Sequence, residues 1–250
     1  MRPIMPATPD DLRAVECLHV RAWPALETAD VHGWLWRRSG GGSNRANSVS
    51  TVRFHGNDPE TALDAIETRY RNRNAAARVS TYDLSEPADL PARLQARGYR
   101  NDETTLTMMK PVRRHDAAGD VEVAARPGED WREVYLGAIT ENRRAVNARI
   151  LTSIPQPCAW FARRRDGRVV STGLGVADGA FAAVECMATH AEARRQGGAR
   201  AVLAAIEAWA TSLGVRTLAL QCVAANAAAV ALYRGFGFEP VATNRFWVKD

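Results

Sequence analysis

The segment from Glu185 to Arg200 holds the densest potential chemistry in the chain: Glu-Cys-Met-Ala-Thr-His-Ala-Glu-Ala-Arg-Arg-Gln-Gly-Gly-Ala-Arg. Glu185 is the one carboxylate in an apolar run, Phe181 to Met187. A buried acid is costly unless it faces a polar cleft. Glu185 therefore reads as a base, a substrate contact or half of a structural ion pair. Strand alternation puts it on the face of Ala183 and Met187. Downstream, Arg194, Arg195, Gln196, Gly197, Gly198, Ala199 and Arg200 lead into apolar positions at helical spacing: Val202, Leu203, Ile206 and Trp209. Glycine lets a ligand approach the unpaired N–H groups of a helix start, and arginine adds positive charge. Together they suit a phosphate-bearing ligand.

A second group follows. Asn226 opens a helical pattern that carries Tyr233 and ends at Gly235-Phe236-Gly237-Phe238. Asn226 reads as a helix cap, and Tyr233 as a packed aromatic on the helix. The four cysteines, Cys17, Cys158, Cys186 and Cys222, are scattered with no Cys-x-x-Cys pair. No disulfide framework and no metal site is expected from them.

Elements that would position these groups come next. Pro9-Asp10-Asp11 opens a helix with Leu12, Val15 and Leu18. Gly33-Trp34-Leu35-Trp36-Arg37-Arg38 reads as a strand, Gly40 to Asn44 as a turn, and Arg45 to Val52 as the returning strand of a hairpin. Asp58-Pro59-Glu60 opens a helix, Ala77 to Tyr82 is a strand, Pro87 to Arg97 a helix and Thr104 to Lys110 a strand. Residues 113–120 are polar and aperiodic, a candidate linker between domains at 1–112 and 121–250. Beyond it come strand Val121–Ala124, helices Gly128–Ala138 and Glu141–Ile150, and strands Trp160–Arg163, Val169–Val176 and Phe181–Thr189. The helix after the glycines, strand Thr217–Cys222, helix Asn226–Arg234 and strand Phe246–Val248 complete the chain.

The motif Arg194-Arg195-Gln196-Gly197-Gly198-Ala199 resembles the Arg/Gln-x-x-Gly-x-Gly/Ala signature of the GNAT superfamily of N-acyltransferases. Asn226, Ala229, Leu232-Tyr233 and Gly237-Phe238 resemble that family's second conserved block. The resemblance covers roughly residues 121 to 250. It implies an α/β fold with a mixed sheet, and acetyl-CoA as co-substrate. The loop from Arg194 to Arg200 would cradle the pyrophosphate. Met187, Ala188 and Thr189 would pair with the pantetheine arm along a splayed strand edge. Asn226 would bond the same arm, Tyr233 would protonate the departing thiolate, and Glu185 would take the amine proton.

The first half repeats the order helix, strand, helix, Gly-aromatic, strand, with Gly98-Tyr99 answering Gly237-Phe238. Its loop, His55 to Glu60, is acidic and lacks paired arginines. A degenerate first repeat and one cofactor site follow, each repeat being a mostly antiparallel sheet flanked by helices. The first repeat would cover the acceptor cleft, with Trp34, Arg45, Asn47, Asn142, Arg143 and Asn147 as substrate contacts. That geometry favours a small-molecule or peptide amine.

With 250 residues, 46% apolar and 24% charged, the chain has globular composition. No apolar run approaches the roughly 20 residues that span a bilayer, and residues 1–6 do not form a signal peptide. Cytoplasmic residence and no membrane partner are expected. The net charge of +5 suits an anionic ligand. Nucleic acid is disfavoured, because no aromatic-basic platform or helix-turn-helix pattern accompanies the charge. The expected activity is N-acetyl transfer to a primary amine by direct attack. The alternative is a non-catalytic acyl-CoA-binding regulatory module.

Overall fold

The computed structural model describes residues 7–113 and 119–250. Of the expected linker at 113–120, residues 114–118 lie outside the described residues. The first half contains α1 (Pro9–Ala22), β1 (Glu27–Val31), β2 (Trp34–Arg38), β3 (Val49–Ser50), α2 (Pro59–Arg71), β4 (Ala77–Thr81), α3 (Leu90–Ala96) and β5 (Arg100–Pro111). The second contains β6 (Val121–Ala124), α4 (Glu129–Gly137), α5 (Glu141–Leu151), β7 (Cys158–Arg165), β8 (Arg168–Asp178), β9 (Phe181–Thr189), α6 (Gly198–Ser212), β10 (Thr217–Val223), α7 (Ala227–Phe236) and β11 (Glu239–Lys249).

Local chemistry sets several boundaries. Thr8 and Asp11 form a capping box at the start of α1: Thr8 Oγ1 accepts from Asp11 N–H at 3.1 Å, and Asp11 accepts from Thr8 N–H at 3.0 Å. Gly214 has φ 76° and closes α6, while Gly237 has φ 100° and closes α7. Residues 45–52 shorten the expected hairpin: β2 does pair antiparallel with β3, but only at Leu35–Ser50. Asn44–Asn47 is a 3-10 turn, and the only strand there is Val49–Ser50. The long antiparallel partner of β2 is β1. Asn47 causes the turn: its amide donates to the carbonyls of Gly41 and Ser43 at 2.5 and 2.9 Å and accepts from Ser39 N–H at 2.9 Å. Such local bonds compete with a strand ladder.

Among the described residues, all eleven strands belong to one mixed sheet, ordered β1-β2-β3-β4-β11-β5-β10-β9-β8-β7-β6. The expected division into two separate sheets is corrected by this order. The last strand of each half has crossed over: β11 pairs with β4, and β5 pairs with β10. The exchanged strands also pair with each other over most of their length. Neither half completes its sheet without the other.

Three larger hydrophobic clusters and a smaller one at Val15, Met109 and Ala219 support this sheet among the described residues. Leu18, Ala22 and Trp23 from α1 and the following turn pack with Trp131, Tyr135, Ile150 and Leu174 of the second half. On the opposite face, α6 and α7 pack over Phe161, Val184, Leu218 and Phe238. In the first half, α2 and α3 cover Trp34, Trp36 and Val79, joined by Trp247 from β11.

Candidate active site

β9 and β10 run parallel and pair only from Phe181–Ala183 to Thr217–Ala219. Past Ala219, β10 stays with β5, whereas β9 stays with β8. The edge of β9 from Val184 to Thr189 therefore faces a gap in the ladder. A register shift opposite Thr172–Leu174 accompanies φ 52° at Cys186, a bulge in β9. The bulge breaks the expected alternation. Val184 and Met187 join the core under α6 and α7, whereas Ala183 and Cys186 join the core under α1 and α4. Glu185 reaches His19 of α1, so it does not share a face with Met187.

The split leads directly to the arginine-glycine turn. Arg195 has φ 63° and Gly197 φ 78°, so the chain turns sharply into α6. A Cβ at Gly198 would collide with Ser171 Oγ. Helical hydrogen bonding begins with Ala201 N–H to Gly197 O at 3.0 Å. The N–H groups of Gly198, Ala199 and Arg200 therefore precede the first bonded turn. Arg194, Arg195 and Gln196 are exposed. Gln196 is braced: Arg163 donates to its carbonyl at 3.0 Å, Arg165 donates to its side-chain oxygen, and its amide donates to Glu192 O at 3.1 Å. A cavity of about 510 Å³ lies beside this turn, lined by Asp120, Arg163, Arg165, Gln196 and Gly198 among others. The Arg200 side chain instead joins α6 to α7, donating to Gly235 O at 3.1 Å with its guanidinium 5.8 Å from the Phe236 ring centre.

The start of α2 in the first half is already filled. Asp58 accepts from the N–H groups of Glu60 and Thr61 at 3.0 and 3.2 Å, and Pro59 has no N–H. A phosphate would find an acid there and few free donors.

Glu185 and Arg45, expected as base and substrate contact, meet each other. Arg45 donates through both terminal nitrogens to the two Glu185 oxygens at 2.7 Å each. His19 Nδ1 lies 3.3 Å from Glu185 Oε1. Burial pushes the Glu185 carboxyl up, but the Arg45 charge and its two hydrogen bonds outweigh burial and hold it at about 2. A carboxylate held there does not accept a proton at neutral pH, so Glu185 is not a free base in this arrangement. Trp34 is also corrected: it is fully buried, its indole donates to Glu86 O at 2.9 Å, and its ring packs 4.7 Å from Phe54. Asn47 is committed to the turn it builds. Asn142 accepts from Thr140 Oγ1 at 2.8 Å at the exposed start of α5. Asn147 is buried and donates to Tyr135 OH at 3.0 Å.

Asn226 caps α7 by accepting from Ala229 N–H at 3.1 Å. Tyr233 is half-buried on α7, its ring 6.0 Å from Phe238 at 71°. Burial raises its phenol pKa well above 10, with Cys222 and Glu185 adding to the effect, so the hydroxyl keeps its proton at neutral pH. None of the residues of α7 is buried, although the helix is largely apolar.

Sequence reasoning missed four groups gathered beside Arg45, one of which, His19, also reaches Glu185. Glu16, His19, Arg37 and Gln221 line one small cavity with Arg45. No motif marks them. They converge because α1 of the first half lies over β9 and β10 of the second. Among the described residues, no group of three or more His, Cys, Asp or Glu side chains is placed to hold a metal, and no helix is long and apolar enough to cross a membrane.

The arrangement agrees with the chain's similarities. The family profile described as Probable histone acetyltransferase Rv0428c C-terminal matches residues 9–247. The Uncharacterized N-acetyltransferase YobR of Bacillus subtilis (strain 168) is 27% identical over 251 residues, covering 96% of this chain and 99% of that protein. A GCN5-related N-acetyltransferase from Kribbella flavida superposes with a TM-score of 0.69 at 17% identity, covering 98% of this chain and 96% of that one. A tandem GNAT protein from the clavulanic acid biosynthesis pathway superposes at 0.63 with 12% identity, covering 94% and 87%. A split parallel strand pair opening onto a glycine turn, inside a profile match over nearly the whole chain, places this protein in the Rv0428c C-terminal family of the GNAT superfamily.

Proposed function

We propose that the protein transfers an acetyl group from acetyl-CoA to a primary amine. The open edge of β9 running into the Gly197–Gly198 turn carries this reading. The residues present fit the co-substrate. Unpaired strand groups can pair with the amides of an extended arm. The free N–H groups of α6, with Arg194 and Arg195 beside them, suit a pyrophosphate. The crowded approach of Gly198 to Ser171 keeps that turn tight against the sheet.

Acetyl-CoA supplies an activated acyl carbon. The chain supplies placement and protons. N–H groups of Met187 and Ala188 on the free β9 edge stabilise negative charge on the acyl oxygen. Tyr233, protonated at neutral pH, gives its proton to the leaving sulfur. Attack is direct, with no acyl-enzyme. The first half is a degenerate repeat whose capped α2 leaves one cofactor site per chain.

Release of free CoA thiol, followed with a panel of primary amines, tests this. Turnover with at least one amine, lost in Gly197→Glu together with the acetyl-CoA thermal shift, is expected. An acetyl-CoA shift without turnover of any amine would instead favour an acyl-CoA-binding regulatory module.

A further inference from the structure

The cavity under α1 is lined by Glu16 and Arg37, buried groups of opposite charge, neither of which has an ion-pair partner within 4 Å among the described residues. Arg37 is 4% exposed and donates only to backbone, to Trp23 O at 3.3 Å and to Arg45 O, among the described contacts. Its Nε has no hydrogen-bond partner, and no carboxylate lies within 4 Å of the guanidinium among the described residues. Burial, with the Arg45 charge adding to it and Tyr70 and Glu16 opposing it, lowers its pKa to about 10. Glu16 is 6% exposed on the facing helix. Neutral groups hold it: Thr107 Oγ1 at 2.8 Å, Asn244 Nδ2 at 2.9 Å and Gln221 Nε2 at 3.2 Å. No cation reaches Glu16 within 4 Å among the described residues. His19 Nε2 is buried and unpartnered in the same wall. Buried opposite charges that face one cavity without touching are costly, and a ligand carrying both signs would pair directly with each.

We infer that the acceptor is a small zwitterion, an amine with a carboxylate close by as in an α-amino acid, with Arg37 and Arg45 on its carboxylate and Glu16 and Glu185 on its ammonium. This rests on the acetyl-transfer reading above. The cavity itself is about 20 Å³, room for water. Entry therefore requires Arg45 to move. Arg45 is the member of the pair with access to solvent, its side chain 23% exposed against 4% for Glu185. It sits on the 3-10 turn after Gly40, Gly41 and Gly42, all with positive φ.

The exchange balances. Arg45 passes from Glu185 to the incoming carboxylate, and Glu185, now without its counter-charge, takes one proton from the ammonium. The nitrogen lone pair forms the C–N bond to the acyl carbon. The C–S bond breaks with its electron pair on sulfur. Tyr233 protonates the sulfur and recovers the second proton lost by nitrogen. Arg45 is thus a specificity-determining residue, and Arg37 holds the rear of the cavity.

The test compares the twenty standard L-amino acids with the amines they give on decarboxylation, by thiol release and by calorimetric titration of the CoA-saturated protein. At least one amino acid should bind and turn over at least tenfold better than its decarboxylated partner. Arg45→Met/Glu185→Gln, which removes both charges together, should lose that calorimetric preference while keeping the acetyl-CoA thermal shift. Arg37→Lys should raise KM for the amino acid about tenfold. Faster turnover of the decarboxylated amines, or of a lysine inside an end-blocked peptide, would overturn the zwitterion while leaving acetyl transfer intact. No thermal shift with acetyl-CoA would remove the underlying reading and this inference with it.

Discussion

Glu185 keeps its charge inside the protein because Arg45 answers both of its oxygens. The carboxyl is held at about 2, below the ordinary 4.5, so the folded state binds this proton less readily than the unfolded chain. Stability from the pair is fully present above pH 4.5 and is lost as pH falls from there toward 2. Equilibrium unfolding followed across that window should show a loss of a few kcal/mol that is smaller in Glu185→Gln. An identical pH slope in the variant would remove the pair from the account. Tyr233 carries the second prediction at this scale. Tyr233→Phe should keep the acetyl-CoA thermal shift and lower kcat about a hundredfold, in the range of a lost general acid. Unchanged kcat would exclude the role. The chemical types of Glu185, Arg45 and Tyr233 stand out in the sequence. That Glu185 and Arg45 neutralise each other does not, because 140 residues separate them.

At the scale of elements, the turn before α6 depends on a missing side chain. Gly198→Val would drive its branches into Ser171, costing about 1–3 kcal/mol and displacing the turn. Acetyl-CoA affinity should fall with it. Adding Ser171→Gly should recover part of the lost stability, read as Tm, and a double variant no better than the single would place the strain elsewhere. The glycine turn and α7 were legible because their cues are local: glycines at positive φ, a capping Asn226 and helical spacing. Strand β1 and the 3-10 turn at Asn44–Asn47 were not. Asn47 folds the glycine segment through side-chain bonds that periodicity does not register. The bulge at Cys186 is equally silent, and it alone moved Met187 to the face opposite Glu185.

At the scale of the molecule, the placement of β11 beside β4 and of β5 beside β10 ties the two halves into one sheet. Gly98-Tyr99 and Gly237-Phe238 mark the ends of α3 and α7 and the starts of β5 and β11 in the sequence. That placement could not be read there, because both strands carry compatible patterns and pairing partners are set by the assembled sheet. Calorimetry should show a single transition with equal calorimetric and van't Hoff enthalpies; two resolved transitions would mean that the halves unfold independently. On the proposed reading, the helix start at Gly197–Arg200 takes the phosphate, whereas the start of α2 is capped by Asp58. Isothermal titration of the whole chain with acetyl-CoA tests that most directly. One molecule bound per chain, with binding abolished by Gly197→Glu, is the predicted result. Two molecules per chain, or binding untouched by Gly197→Glu, would contradict it.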